Sequence, residues 1–105
     1  GKNCISSIDK MFVGSISSAV NYPRELIKRV IALRACAAVM AHNHPSGSTD
    51  PSTEDRRITK MIAMALATID VQLLDHIVIG DGYTSMADRG FITAVTEEFK
   101  RLLAG

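Results

Sequence analysis

Apolar and polar positions recur along the chain with two periods, and these divide it into strands and helices. Residues 4–8 and 11–17 have strand composition, the second through Phe12 and Val13, and Asp9-Lys10 between them reads as a hairpin turn. Residues 18–22 form a connection to Pro23, which suits the first turn of a helix because its missing N–H is not needed there. That helix is expected to reach about Leu33, with Leu26, Ile27, Val30 and Ile31 on one stripe and Lys28 and Arg29 facing water. Residues 36–41 read Cys-Ala-Ala-Val-Met-Ala, an apolar run suited to a central strand covered on both faces. Residues 43–51 crowd Asn, Pro, Ser, Gly, Thr and Asp together and predict a loop. A second helix is expected over residues 53–69, with Ile58, Met61, Ile62, Ala65 and Ile69 on one face and Arg56, Arg57 and Lys60 on the other. Residues 71–79 predict another buried strand. Asp81-Gly82 is a hairpin turn signal, and residues 83–86 form a short strand. Residues 91–103 predict a terminal amphipathic helix with Phe91, Val95, Phe99 and Leu102 near helical spacing. No internal repeat or low-complexity segment interrupts this order.

Strands alternating with helices predict an α/β layer structure: a mixed β-sheet flanked by helices. Ligands in such sheets gather at loops beyond the carboxyl ends of strands. Attention therefore falls on the loop after residues 36–41.

Composition narrows the functional classes. The 105 residues make one small domain, 47% hydrophobic and 22% charged, which is a globular balance. Lys plus Arg number 12 and Asp plus Glu 11, a formal charge of +1, without the basic excess of a nucleic-acid or lipid-surface binder. No apolar run approaches the roughly 18 residues of a membrane span, and no signal-peptide pattern is visible at the start. The chain opens Gly1-Lys2-Asn3 without an initiator Met, so it is expected to be a piece of a longer protein. Its two cysteines, Cys4 and Cys36, are too few for a secreted disulfide scaffold and read as reduced, buried thiols of a cytoplasmic protein.

The loop carries the candidate chemistry. His42 and His44 stand two apart at the end of a strand, so their side chains point to one side. Two converging imidazoles are two of the three protein ligands of a catalytic zinc. Asp55, in the first turn of the next helix, can supply the third and leave a position for water. Ser52-x-x-Asp55 is equally a plain helix start, with Ser52 as N-cap and an acid three residues on. The two roles are compatible.

The register His42-Asn43-His44-Pro45, seven residues, then Ser52-x-x-Asp55 resembles the JAMM motif of the Jab/MPN metalloenzymes. Tyr22-Pro23-Arg24-Glu25, the string from Ala41 to Gly47, Pro51-Ser52-x-x-Asp55 and the string from Leu74 to Gly80 together resemble the RadC family over residues 3–91. The resemblance implies a cytidine-deaminase-like JAMM/MPN fold. It implies a Zn²⁺ held by His42, His44 and Asp55, with the Ser52 hydroxyl beside the zinc-bound water and the developing oxyanion. It implies hydrolysis of a peptide or isopeptide bond in a peptide or protein substrate. In JAMM enzymes a glutamate on a strand ahead of the first hairpin takes the water's proton. Only Gly1, Lys2 and Asn3 precede Cys4 here, so that position is expected upstream, with Glu25 as the leading candidate within the chain and Glu54 behind it. A sheet edge left open where that strand would pair would favour self-association.

Other residues carry plainer readings. His76, in an apolar strand, reads as a hydrogen-bonded core residue. Asp75 beside it can either orient a metal-binding imidazole or pair with backbone donors. The basic faces formed by Arg24, Lys28, Arg29 and Arg34, and by Arg56, Arg57 and Lys60, read as solvated, and the five methionines as core filling. Against the hydrolase stands a DNA-associated module, since RadC proteins have been described as DNA-repair proteins; any DNA contact would run through regions outside this span. A degenerate scaffold is a third reading, opposed by the intact His42, His44, Ser52 and Asp55. His-Asn-His does not make an HNH nuclease, whose three residues are spread along a ββα unit.

Overall fold

The computed structural model describes residues 22–105, so the two strands expected over 4–8 and 11–17, their turn, residues 18–21 and Cys4 lie outside the described residues. The described elements run α1 (Tyr22–Ala32), β1 (Ala37–Asn43), α2 (Thr53–Ala67), β2 (Gln72–Gly80), β3 (Gly82–Ser85) and α3 (Phe91–Ala104). β1 pairs parallel with β2, and β2 pairs antiparallel with β3, giving a mixed sheet in the order β1-β2-β3. Helix α2 makes the crossover that a parallel pair needs. The expected α/β architecture, a mixed sheet with helices, is what the chain forms. No helix among the described residues is long and apolar enough to cross a membrane.

The core lies between the sheet and the helices. Ile58, Ile62 and Leu66 of α2 are fully buried and pack with Val30 of α1, Met40 of β1, Val71, Leu73 of β2 and Ile92 of α3. Burial follows helical spacing on α2, from Asp55 through Ile58, Thr59 and Ile62 to Leu66.

Several expectations about burial need correction. Helix α2 ends at Ala67, not Ile69, because Asp70 adopts a left-handed conformation (φ 61°) and the Val71 N–H turns back to the Leu66 carbonyl at 2.9 Å. Ile69 is therefore exposed rather than on the buried face, and Leu66 takes its place. Arg34 (φ 53°) closes α1 in the same way, with the Ala35 N–H on the Val30 carbonyl, and Ile31 falls outside the buried stripe. Leu102 is exposed near the end of α3, and Ile92 is buried instead. Neither long strand is covered on both faces: Val39, Leu74 and Ile79 are exposed while Met40, Leu73 and Val78 are buried. Among the described residues β1 pairs only with β2. Cys36 is exposed, not buried, because it sits in the bend ahead of β1 rather than within the strand.

Two local features place the site. The β1–β2 register slips between Ala38 and Val39: Ala38 pairs with Leu73 but Val39 with Asp75. At the other end of the pair the expected turn forms, with Gly80 opposite Gly82 and Gly82 at φ 119°.

Candidate metal centre

His42 belongs to β1. His44 follows its end, yet the His44 N–H still reaches the Ile79 carbonyl at 2.8 Å. The strand's two-residue alternation thus holds through His44, and both imidazoles project to one side, as the spacing predicts. The chain then turns sharply, with the Gly47 N–H on the His44 carbonyl at 3.0 Å and Gly47 at φ 87°. The Asp81 N–H binds the Gly47 carbonyl at 2.7 Å and pins this loop to the end of β2. Pinning requires Gly80, since a Cβ there would stand 2.3 Å from the Gly47 oxygen and 2.6 Å from the Ser48 oxygen.

The loop delivers the chain to the start of α2. Ser52 is the N-cap: its Oγ accepts from the Asp55 N–H at 3.0 Å, and Asp55 Oδ2 accepts from the Ser52 N–H at 2.7 Å. This reciprocal capping box fixes the Asp55 carboxylate. Asp55 is 1% exposed and faces both imidazoles. Oδ1 lies 3.0 Å from His42 Nε2, and Oδ2 lies 2.9 Å from His44 Nε2. The capping reading and the site reading of Ser52-x-x-Asp55 describe one arrangement.

His42, His44 and Asp55 form the group whose ligand atoms all lie within 4.8 Å of one another. The proton inventory of this group fits a cation. The His44 Nδ1 stands 3.1 Å from the Ser48 carbonyl oxygen, which can only accept, so Nδ1 carries the hydrogen. His44 Nε2 stands 2.9 Å from Asp55 Oδ2, which also only accepts, so Nε2 is placed to donate there and a cation would take the place of that proton. His42 Nε2 is buried and, although 3.0 Å from Oδ1, is not aligned for a hydrogen bond with it. Two imidazole nitrogens and one carboxylate, converging at this spacing, are the donor set of a zinc site with a position left for water.

The electrostatics agree. Burial pushes the Asp55 carboxyl upward, but hydrogen bonds from Ser52 and the two neighbouring imidazoles outweigh it and hold the group below its ordinary value. Burial, helped by His44 and opposed by Asp55, lowers His42. Both shifts favour an ionised carboxylate beside a neutral imidazole, the protonation a metal ligand needs.

The other nominated residues lie elsewhere. Glu25 is in the first turn of α1 and pairs with Lys28 at 3.6 Å. Glu54 is engaged by the Arg57 guanidinium on the outer side of α2. Asp75 takes the second of its two readings. Its Oδ1 accepts from the His76 and Ala87 N–H groups at 2.7 and 2.9 Å, and its Oδ2 from the Ser85 hydroxyl.

His76 is the residue whose place the sequence left half-read. It is a buried, hydrogen-bonded core residue as expected, 0% exposed, but its Nε2 lies 2.7 Å from His42 Nδ1. Its Nδ1 meets Thr59 Oγ1 at 2.5 Å, and Thr59 Oγ1 donates to the Asp55 carbonyl at 2.6 Å. Burial, with His42 next, lowers His76 from 6.5 to about 4, so it is neutral near pH 7. Thr59 could have been found as the one hydroxyl on the buried stripe of α2, a turn beyond Asp55.

Comparison with known proteins agrees with this geometry. Residues 1–91 match the family described as the RadC-like JAB domain. A UPF0758 protein of Vibrio cholerae is 46% identical over 91 residues, covering 87% of this chain and 58% of its own length. One from Vibrio atlanticus is 48% identical over 92 residues, covering 87% of this chain and 41% of the relative. One from Shewanella pealeana is 52% identical over 84 residues, 79% of this chain and 37% of the relative. The chain thus spans between about a third and three-fifths of the length of these relatives. With the JAMM register in place on this sheet and the match running through it, the chain belongs to the RadC family, as a RadC-like JAB domain.

Proposed function

We propose that the centre binds Zn²⁺ and that the domain is a JAMM-type amide hydrolase acting on peptide or isopeptide bonds. The observation that carries the reading is the convergence of His42, His44 and Asp55, with a buried His42 Nε2 that has no hydrogen-bond partner among the described residues. Bound zinc would lower the pKa of a coordinated water toward roughly 7 and polarise the scissile carbonyl.

The chain's own groups do the rest. His42 and His44 bind through Nε2, and Asp55 binds while offsetting charge. Ser52 Oγ accepts from the Asp55 N–H, and its hydroxyl proton, which supports the Asp55 carboxylate, would turn to the substrate oxygen as negative charge develops there. Proton transfer from the water needs a carboxylate outside the ligand set, and the group that converges contains only Asp55. The JAMM pattern assigns that task to a glutamate upstream of the first hairpin. Glu25 is the alternative within the chain.

Metal analysis of protein purified without a histidine tag tests the site. One equivalent of zinc is expected, and its absence under gentle purification would overturn the reading. Peptide hydrolysis is then compared between this chain and one extended upstream. Activity should need the extension and disappear when its glutamate becomes glutamine. Equal activity in both would transfer the base to Glu25. Duplex DNA binding by a metal-free, inactive protein would favour the DNA-associated module instead.

A further inference from the structure

We propose that His76, together with Thr59, is a positioning pair that fixes the tautomer of His42, placing its proton on Nδ1 and turning the Nε2 lone pair toward Asp55.

The argument follows the protons along three buried contacts. Thr59 Oγ1 lies 2.6 Å from the Asp55 carbonyl oxygen, which can only accept, so the hydroxyl proton points there. The other neighbour of that hydroxyl, Met86 Sδ, is 3.6 Å away and a weak acceptor. With its proton committed, Thr59 Oγ1 offers a lone pair to His76 Nδ1 at 2.5 Å, which makes Nδ1 the protonated nitrogen of His76. His76 Nε2 is then an acceptor. His42 Nδ1, at 2.7 Å, must donate to it. A neutral His42 has no second proton, so Nε2 is left bare.

The opposite direction would put a proton on His42 Nε2 facing Asp55. The geometry does not support it, because that nitrogen, though 3.0 Å from Asp55 Oδ1, has no aligned hydrogen-bond partner among the described residues. Burial fixes the direction as well. Thr59 and His76 are each 0% exposed, so bulk solvent does not reach them. His42 is thus presented as a ligand before any metal arrives.

The anchor of the chain is the backbone of Asp55 itself. The same residue that offers the carboxylate sets, through Thr59 and His76, which nitrogen of His42 faces that carboxylate. A helix residue and a strand residue, 17 positions apart, are joined by this contact.

The consequence for zinc affinity rests on the metal-site reading, whereas the proton position does not. Long-range proton–nitrogen correlation spectra of the metal-free protein, near neutral pH, read the tautomer directly. Zinc affinity is measured separately by competition with a chromophoric chelator. In the wild-type protein His42 and His76 should both be protonated on Nδ1. Thr59→Val, close in shape, removes the acceptor that His76 Nδ1 has among the described residues; the His42 proton should then move to Nε2 or divide between the nitrogens. Zinc affinity should fall about 10–100-fold. Thr59→Ser keeps the hydroxyl and should restore both readouts, which a merely structural role for Thr59 would not require. A wild-type spectrum with the His42 proton on Nε2 would overturn the proposal, and that measurement stands even if the valine variant fails to fold. An unchanged tautomer and affinity in a folded Thr59→Val protein would overturn it too. The expected tautomer in a wild-type protein that binds no zinc would support the positioning pair and sink the metal-site reading instead.

Discussion

On the interior side of the centre His42 leans on His76 and Thr59, both wholly buried and held on β2 and α2. On the outer side His44 leans on the carbonyl of Ser48, an exposed residue in the loop that joins β1 to α2. The two imidazoles serve one carboxylate but owe their orientation to different kinds of structure. The interior support is built from regular elements and cannot move without disturbing the core. The outer support depends on a few backbone hydrogen bonds, those of Gly47 and Asp81 above all. Precision in such a site comes from packed elements, and adaptability from loops.

The largest test of the comparison is pH, which acts on the interior side. An unfolded chain takes up a proton on His76 below about pH 6.5, whereas the folded protein declines it until about pH 4. Stability contributed by the neutral imidazole is therefore present above that window and lost as pH falls through it, a cost of roughly 3 kcal/mol when complete. Urea unfolding of metal-free protein between neutral and mildly acidic pH should show this fall, and His76→Phe should flatten it. An equally steep fall in the variant would assign the loss to other groups.

Gly80→Ala strikes the outer side. The new Cβ would collide with the Gly47 and Ser48 carbonyl oxygens, which are backbone and must shift. A loss of about 1–3 kcal/mol is expected in chemical denaturation. Zinc affinity should weaken through His44 while the His42 tautomer stays as in the wild type. A change in that tautomer would show that the two supports are not separable.

The smallest effect belongs to the residue between the two. Ser52→Ala removes the cap on α2 and should cost about 1 kcal/mol in thermal unfolding. Hydrolysis should slow while the metal is retained. Loss of metal would mean that the capping box, rather than the strand and loop, is what holds Asp55 in range.

Legibility in the sequence followed the same division. His42, His44, Ser52 and Asp55 sit within one strand, loop and helix start, where local periodicity and capping rules operate, and their convergence could be read directly. The α/β order could be read for the same reason. The contact of His42 with His76 joins residues 34 positions apart, and no local rule predicts it. The end of α2 was placed two residues late, where Asp70 takes a left-handed conformation that glycine usually marks. Cys36 and Val39 were misjudged because a run of small apolar residues looks the same whether one face or two are covered.

The slip in register between Ala38 and Val39 decides on which side of the sheet His76 appears. Side chains alternate along a strand, so inserting one residue reverses the parity of everything after it. Before the slip Leu73 is buried; after it, burial resumes at His76 and Val78, an odd step from Leu73 to His76. Were the same residues paired without the slip, Met40 would stand beside Asp75, and His76 would turn to the opposite face of the sheet, away from His42. Deleting Leu74 would keep Val39 beside Asp75 and Met40 beside His76 with regular alternation, so the slip is what lets this sequence carry Leu74 and still hold Leu73 and His76 on one face. In this domain the difference between a histidine that orients a ligand and one on the wrong face of the sheet is a single residue's worth of parity.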